Sequence, residues 1–281
     1  MRSDLAALGA VILWGALAAL GAALSNIPPF LLTGIGLIIG GLVSLPLAKF
    51  DFQKLKVSWA ALLVGVYGLF GYHAALFAGL QNAPSVQANL VNYLWPLLIV
   101  VLTPLFIRGT NLTLRHITAA LAGFAGAGLA ILSGTEFVGG FAIGYVFAFF
   151  AAFVWSTYSL MTKRIAFRTE AVGTFALVSG ALALLVHALF EPATTIAASD
   201  WVLLIAIGVG PMGASFYLWD YALKTGSPQR VGLIAFLTPL ISTTLLLVVT
   251  GTELSPLLAI SAALIFTAAF VGSRTTKPVN N

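Results

Sequence analysis

Cysteine is absent from the chain's 281 residues, which excludes disulfides, thiolate metal sites and cysteine nucleophiles. Charge is nearly as scarce: Asp, Glu, Lys and Arg make up 7% of the chain, against about a quarter in soluble domains, while 60% is hydrophobic. So few charged side chains cannot clothe a water-soluble globule of this size. Lipid tails must therefore be the solvent for most of the surface, and stability must come from packing. The apolar run from about Leu5 to Leu24 follows Arg2 but is longer than a signal h-region and lacks a convincing cleavage site, so it is expected to be retained as a first span.

A bilayer core about 30 Å thick asks for about 20 apolar residues per helix, and Pro, Gly, Asn and charged residues punctuate the chain accordingly. Ten segments result, near residues 4–24, 28–48, 59–81, 84–107, 114–133, 140–163, 169–190, 200–224, 228–250 and 255–273. The expected class is an all-α integral membrane protein of ten transmembrane helices. The connections are short, so the function must sit within the membrane.

Basic residues test that count, because cytoplasmic loops collect them. Arg2, Lys49, Lys54, Lys56, Arg108, Arg115, Lys163, Arg164, Arg168, Lys224, Arg230, Arg274 and Lys277, all 13 of them, fall on one face of the ten-span arrangement. The other face receives Glu136, Glu191, Asp200 and Glu253 and no cation. Both termini are thus assigned to the cytoplasm of a multi-pass protein. The net charge of +5 reflects this topology, and nucleic acid is excluded as a partner.

The second half echoes the first. Val11-Ile-Leu-Trp14-Gly in helix one matches Ala152-Phe-Val-Trp155-Ser in helix six, so that the tryptophans coincide. Ala83-Pro84 followed by Trp95-Pro96-Leu97 parallels Ser227-Pro228 followed by Thr238-Pro239-Leu240, and Gly109-Thr-Asn111-Leu-Thr113 parallels Gly251-Thr-Glu253-Leu-Ser255. Residues 1–134 and 135–274 are read as two five-helix repeats, with 275–281 a short cytoplasmic tail. Five is odd, so the second copy must enter the membrane inverted, and corresponding loops do carry opposite charge bias. Inverted repeats place a substrate site near the midplane between the halves and support alternating access.

The two-repeat plan, the paired Pro96-Leu97 and Pro239-Leu240 and the Gly251-to-Ser255 ending resemble the drug/metabolite transporter superfamily in its ten-helix EamA-type branch, over essentially the whole chain. Val91-Asn92-Tyr93-Leu94-Trp95-Pro96 and Trp155-Ser-Thr-Tyr158 further resemble the bacterial aromatic amino acid exporters of that branch. The resemblance implies export across the bacterial inner membrane. One departure is Asn111, which stands in the first repeat where the second keeps Glu253.

Trp59, Trp201 and Trp219 lie toward helix ends, where interfacial belts account for tryptophan. Trp14, Trp95 and Trp155 lie within roughly 6 Å of their helix centres at 1.5 Å per residue, where a belt cannot explain them. They either line a pocket or fill space between helices. In helix four, Ser85, Asn89, Asn92, Tyr93 and Pro96 form a polar stripe at spacings of three and four. Such residues can glue helices together, but Pro96 frees backbone groups that neighbours, a cavity or a substrate must satisfy. Trp155, Tyr158, Ser159 and Thr162 give helix six a comparable face. Tyr72 and His73 are central in helix three, and an intramembrane histidine either serves a substrate or bonds a neighbouring helix. Pro239 marks the equivalent break in helix nine. Asp220 and Lys224, four residues apart, read as an ordinary ion pair. Gly36 with Gly40, and Gly123 with Ala119 and Ala127, permit close helix approach, whereas Pro84 and Pro228 mark helix starts.

An aromatic cavity with amides and hydroxyls but no fixed charge suits a substrate with an apolar body and balanced charges, as neutral and aromatic amino acids have. Phosphate-bearing substrates lack a midplane cation to receive them. Gradient-driven export is expected, with proton coupling through His73 the rival. An intramembrane enzyme would need a catalytic cluster at one leaflet, whereas His73, His116 and His187 lie on different helices at different depths. A channel would need polar linings on several helices. No cofactor or metal is expected, the partners are a small-molecule substrate and membrane lipids, and the chain is expected to be a monomer.

Overall fold

The computed structural model describes residues 2–132, 140–250 and 256–273. These residues form ten helical rods: α1 (Arg2–Ala22), α2 (Pro29–Leu47), α3 (Trp59–Gln81), α4 (Ser85–Phe106), α5 (Leu114–Leu132), α6 (Gly144–Met161), α7 (Thr169–Phe190), α8 (Asp200–Thr225), α9 (Pro228–Ala235 and Leu237–Thr250) and α10 (Pro256–Ser273). No strand occurs among the described residues. α1 to α8 are each long and apolar enough to cross a bilayer, and α10 is a shorter apolar helix. Large apolar side chains such as Phe147, Phe150, Leu185 and Phe266 face outward, as a lipid solvent requires.

Local chemistry sets where the rods begin. The Ser58 side chain accepts the Ala61 N–H at 3.2 Å and caps α3, while Pro29 and Pro228 open α2 and α9 at a position where no N–H is needed. The Glu191 carboxylate at the end of α7 accepts the first-turn amides of Phe30 and Leu31 at 3.0 and 3.2 Å and takes the His187 ring at 3.0 Å. An anion at a helix N-terminus also meets the positive end of the α2 dipole.

Packing follows the small residues. α2 lies along α7, and α5 along α10, as the two most extensive contacts. α1 packs on α8 and α9, α6 packs on α3 and α4, and α4 crosses α9. Gly36 and Gly40 do bring α2 close to a partner helix, which is α8, and Gly123 receives the ring of Phe236 from α9. The motif Gly251 to Ser255, together with Glu136, Glu253, Arg274, Lys277 and the tail from 275 onward, lies outside the described residues.

Candidate functional site

Four irregularities interrupt the rods at mid-length. α4 breaks at Tyr93 and Leu94 and resumes at Trp95, with Pro96 in the new first turn. α9 breaks at Phe236 and resumes at Leu237, two residues before Pro239. α3 and α8 each contain a π-helical turn, at Tyr67–Gly71 and Gly210–Ala214. Proline cannot donate to the preceding turn, and a π-turn widens the helix, so both devices leave backbone polar groups for other partners. The sequence marked the proline breaks but not the π-turns.

One cavity of about 640 Å³ is lined by residues in or just beyond these segments: Tyr72 and His73 after the α3 π-turn, Tyr93 and Trp95 at the α4 break, Pro211 and Met212 in the α8 π-turn, and Thr238 and Pro239 after the α9 break. Of the residues singled out from sequence, Trp14, Tyr72, His73, Asn89, Asn92, Tyr93, Trp95, Trp155 and Pro239 line it. Tyr158 does not. It stands behind Trp155, with ring centroids 5.4 Å apart, over Gly68, where a Cβ would fall 2.2 Å from the Tyr158 ring. Pro96 also faces away, and its carbonyl backs onto α9, where a Cβ on Gly232 would lie 3.1 Å from that oxygen. None of the lining residues carries Asp, Glu, Lys or Arg chemistry.

Hydrogen bonds fix the polar part of the wall. Trp14 Nε1 donates to the Pro211 carbonyl in the α8 π-turn at 3.1 Å. Asn92 Nδ2 donates to the Tyr72 hydroxyl at 3.2 Å. His73 Nδ1 lies 2.6 Å from the Leu69 carbonyl in the turn below, so Nδ1 carries the proton and donates. The histidine is thus anchored within its own helix rather than to a neighbour. Asn92 Oδ1 and Thr238 Oγ1 are buried without a partner. Thr238 lines the cavity but was not selected from sequence, although the parallel of Thr238-Pro239-Leu240 with Trp95-Pro96-Leu97 equates it with Trp95.

Aromatic rings from both halves close one end of the cavity. Trp14 lies 6.1 Å from Trp95, 5.6 Å from Trp155 and 5.1 Å from Trp219, centroid to centroid. The interfacial placement expected for Trp219 is overturned: it is 1% exposed, and its Nε1 donates to Ser159 Oγ at 3.0 Å. Its distance from the helix end misled, because the rings of Trp14 and Trp95 from α1 and α4 and the Ser159 hydroxyl of α6 reach it there. Phe216 and Trp219 are three residues apart on one face of α8, a spacing that could have revealed the cluster. Trp59, by contrast, is 79% exposed.

Trp219→Phe keeps the ring but removes the N–H donor. The expected loss is about 1 kcal/mol, or about 2–4 °C in the thermal midpoint of the detergent-solubilised protein. An unchanged midpoint would remove this bond from the account.

Beyond the aromatic floor, toward the end that carries the α6–α7 connection, polar ties link the helices to one another and to that connection. Asp220 is 2% exposed and accepts from Lys224 at 2.8 Å and from Thr169 at 2.6 Å. Lys224 also donates to the Phe167 carbonyl at 3.0 Å and lies over the Phe167 ring. The expected ion pair is therefore present, and it fastens α8 to the connection leading into α7. Lys163 Nζ donates to the carbonyls of Leu223 and Gly226, and Arg230 pairs with Asp4 at 3.0 Å. In the other direction the cavity extends past Leu76, Leu80, Ser85, Val86 and Ile131 toward the end carrying the α3–α4 connection.

The EamA-like transporter family model matches residues 1–132 and 142–274. The chain is 39% identical over 274 residues, 94% of each sequence, to the aromatic amino acid exporter YddG of Ancylobacter novellus. It is 25% identical over 211 residues to the aromatic amino acid exporter YddG of Escherichia coli, covering 69% of this chain and 70% of that one. A solved crystal structure with 37% identity superposes with a TM-score of 0.87, covering 96% of this chain and 97% of its own.

Proposed function

The chain belongs to the EamA-like transporter family, which makes it a membrane transporter and not an enzyme, and from that premise we propose that it exports aromatic and other neutral amino acids by alternating access. The observation that carries this reading is the cavity itself: mid-bundle, floored by Trp14, Trp95 and Trp155, and lined by amides and hydroxyls with no fixed charge. Rings supply stacking surface for an aromatic side chain. A net-neutral zwitterion needs no buried counter-ion, and the lining offers no carboxylate for a proton relay, so transport runs down the substrate gradient.

Two inverted five-helix repeats, residues 1–134 and 135–274, account for the packing. Exchanging α1 with α6, α2 with α7, α3 with α8, α4 with α9 and α5 with α10 carries the principal contacts into one another. The α1–α8 pairing becomes α6–α3, α1–α9 becomes α6–α4, and α2–α7, α5–α10 and α4–α9 return to themselves. The same exchange relates the two π-turns and the two proline breaks. The chain acts as a monomer in the bacterial inner membrane, among its lipids, with both termini cytoplasmic. The basic end is then cytoplasmic and sealed, and the cavity faces outward.

Counterflow of labelled phenylalanine, tryptophan and alanine into proteoliposomes tests the reading. Saturable uptake that favours the aromatic substrates is expected. If no amino acid is taken up, the substrate is another small metabolite handled by the same family.

A further inference from the structure

Buried polar atoms without a partner are rare, and each calls for an explanation. Two of those among the described residues belong to the cavity lining, Asn92 Oδ1 and Thr238 Oγ1, and the two residues are 3% and 5% exposed. Each stands at a proline break, one in α4 and one in α9. The chemistry around Asn92 is one-sided. Its Nδ2 is already committed to the Tyr72 hydroxyl, which leaves an amide oxygen that can only accept. Pro96, four residues on, has no N–H to offer the Asn92 carbonyl, so the backbone presents a second acceptor at the same residue.

The neighbour of Tyr72 repeats the pattern. His73 and Tyr72 have ring centroids 5.1 Å apart, and His73 spends its Nδ1 proton on Leu69, so Nε2 of the neutral ring is a bare acceptor. Nε2 has no partner among the described residues. The Tyr72 ring, 5.2 Å from that of Trp155, adds aromatic faces attractive to a cation. Asn92, Tyr72 and His73 thus form one corner that accepts hydrogen bonds and offers π-faces, with no acid group in it.

We propose that this corner is an ammonium-binding subsite: Asn92 Oδ1 and His73 Nε2 accept from the α-amino group of the substrate, while the unpaired Thr238 hydroxyl, on the other half, donates to its carboxylate. The inference rests on the amino acid reading of the cavity and gives the substrate an orientation across the two halves. An uncharged subsite also explains selectivity. It holds a primary ammonium strongly enough to order it, yet binds no free cation in the manner of a buried carboxylate, so the site stays neutral when empty.

The test is binding to the purified protein, read from tryptophan fluorescence, with three ligands that share a ring: phenylalanine, phenethylamine without the carboxylate, and 3-phenylpropanoate without the ammonium. Phenethylamine is expected to compete with phenylalanine and 3-phenylpropanoate to bind at least about tenfold more weakly, since the acid leaves both acceptors of the corner unpaired and keeps only the Thr238 contact. The isosteric Asn92→Asp places a carboxylate in the corner and should shift the preference toward phenethylamine by about tenfold or more. Thr238→Val should weaken phenylalanine while sparing phenethylamine. Equal binding of amine and acid, or a preference for the acid, overturns the subsite, and so does an Asn92→Asp variant with unchanged preference. Counterflow separates this from the broader reading: Asn92-dependent amine binding without amino acid uptake would keep the subsite and sink the export of amino acids.

Discussion

Trp155→Ala is expected to abolish aromatic amino acid uptake, lowering counterflow by at least about tenfold, and to destabilise the protein by about 3–5 kcal/mol. No other ring in the cavity has so many aromatic neighbours. Its centroid lies 5.6 Å from Trp14, 6.4 Å from Trp95, 5.2 Å from Tyr72, 5.4 Å from Tyr158 and 5.7 Å from Phe216. Such pairs each add about 0.5–1.5 kcal/mol beyond the area they bury. Alanine removes a wall of the cavity and also opens the floor that separates it from the basic end.

A loss of uptake could then reflect either a missing binding surface or a collapsed cluster, and Trp155→Phe separates the two. Phenylalanine keeps a ring between Trp14 and Tyr72 while reducing the stacking area, so a folded protein with weakened, still saturable uptake is expected. Wild-type uptake by folded Trp155→Ala would show that the cluster is packing alone and would remove the aromatic wall from the functional argument.

The fold was legible because it rests on two crude signals, apolar length and the side on which cations collect, and both survive errors of several residues. The proline breaks were legible for a similar reason: proline acts on its own backbone wherever it stands. The π-turns at Tyr67–Gly71 and Gly210–Ala214 had no comparable signal, since one extra residue in a turn shifts the helical phase without changing composition. That phase shift is what carries Met212 and Phe216 to the cavity wall and Trp219 into the cluster. Distance from a helix end is a one-dimensional measure, and it fails for Trp219 because four helices converge there. Thr238 was missed for a different reason. A threonine in a membrane helix usually satisfies its hydroxyl within its own turn, as Thr103 does at 2.6 Å from the Ile99 carbonyl, and only coordinates show that Thr238 does not.

Gly40→Val is expected to prevent accumulation of folded transporter, and even Gly40→Ala to lower stability at the upper end of the about 1–3 kcal/mol typical of overpacking. A Cβ at Gly40 would fall 2.1 Å from the Met212 carbonyl oxygen, 2.7 Å from its carbon and 2.9 Å from the Gly208 carbonyl oxygen. All three are backbone atoms of α8, so no side chain can rotate aside, and α2 must move away bodily. The displaced carbonyl lies in the π-turn whose Met212 side chain lines the cavity, and the Tyr217 hydroxyl bonded to the Gly40 carbonyl at 2.8 Å would be pulled apart as well. Damage to packing therefore becomes damage to the site, and residual Gly40→Ala protein should transport poorly. Gly21→Ala is the matched control. Its Cβ meets nothing within 4 Å, and alanine is the better helix former by about 1 kcal/mol, so its thermal midpoint and uptake should equal or exceed wild type. If the two alanine variants behave alike in thermal melts, α2 does not approach α8 as closely as the structure has it, and the π-turn loses its place in the wall.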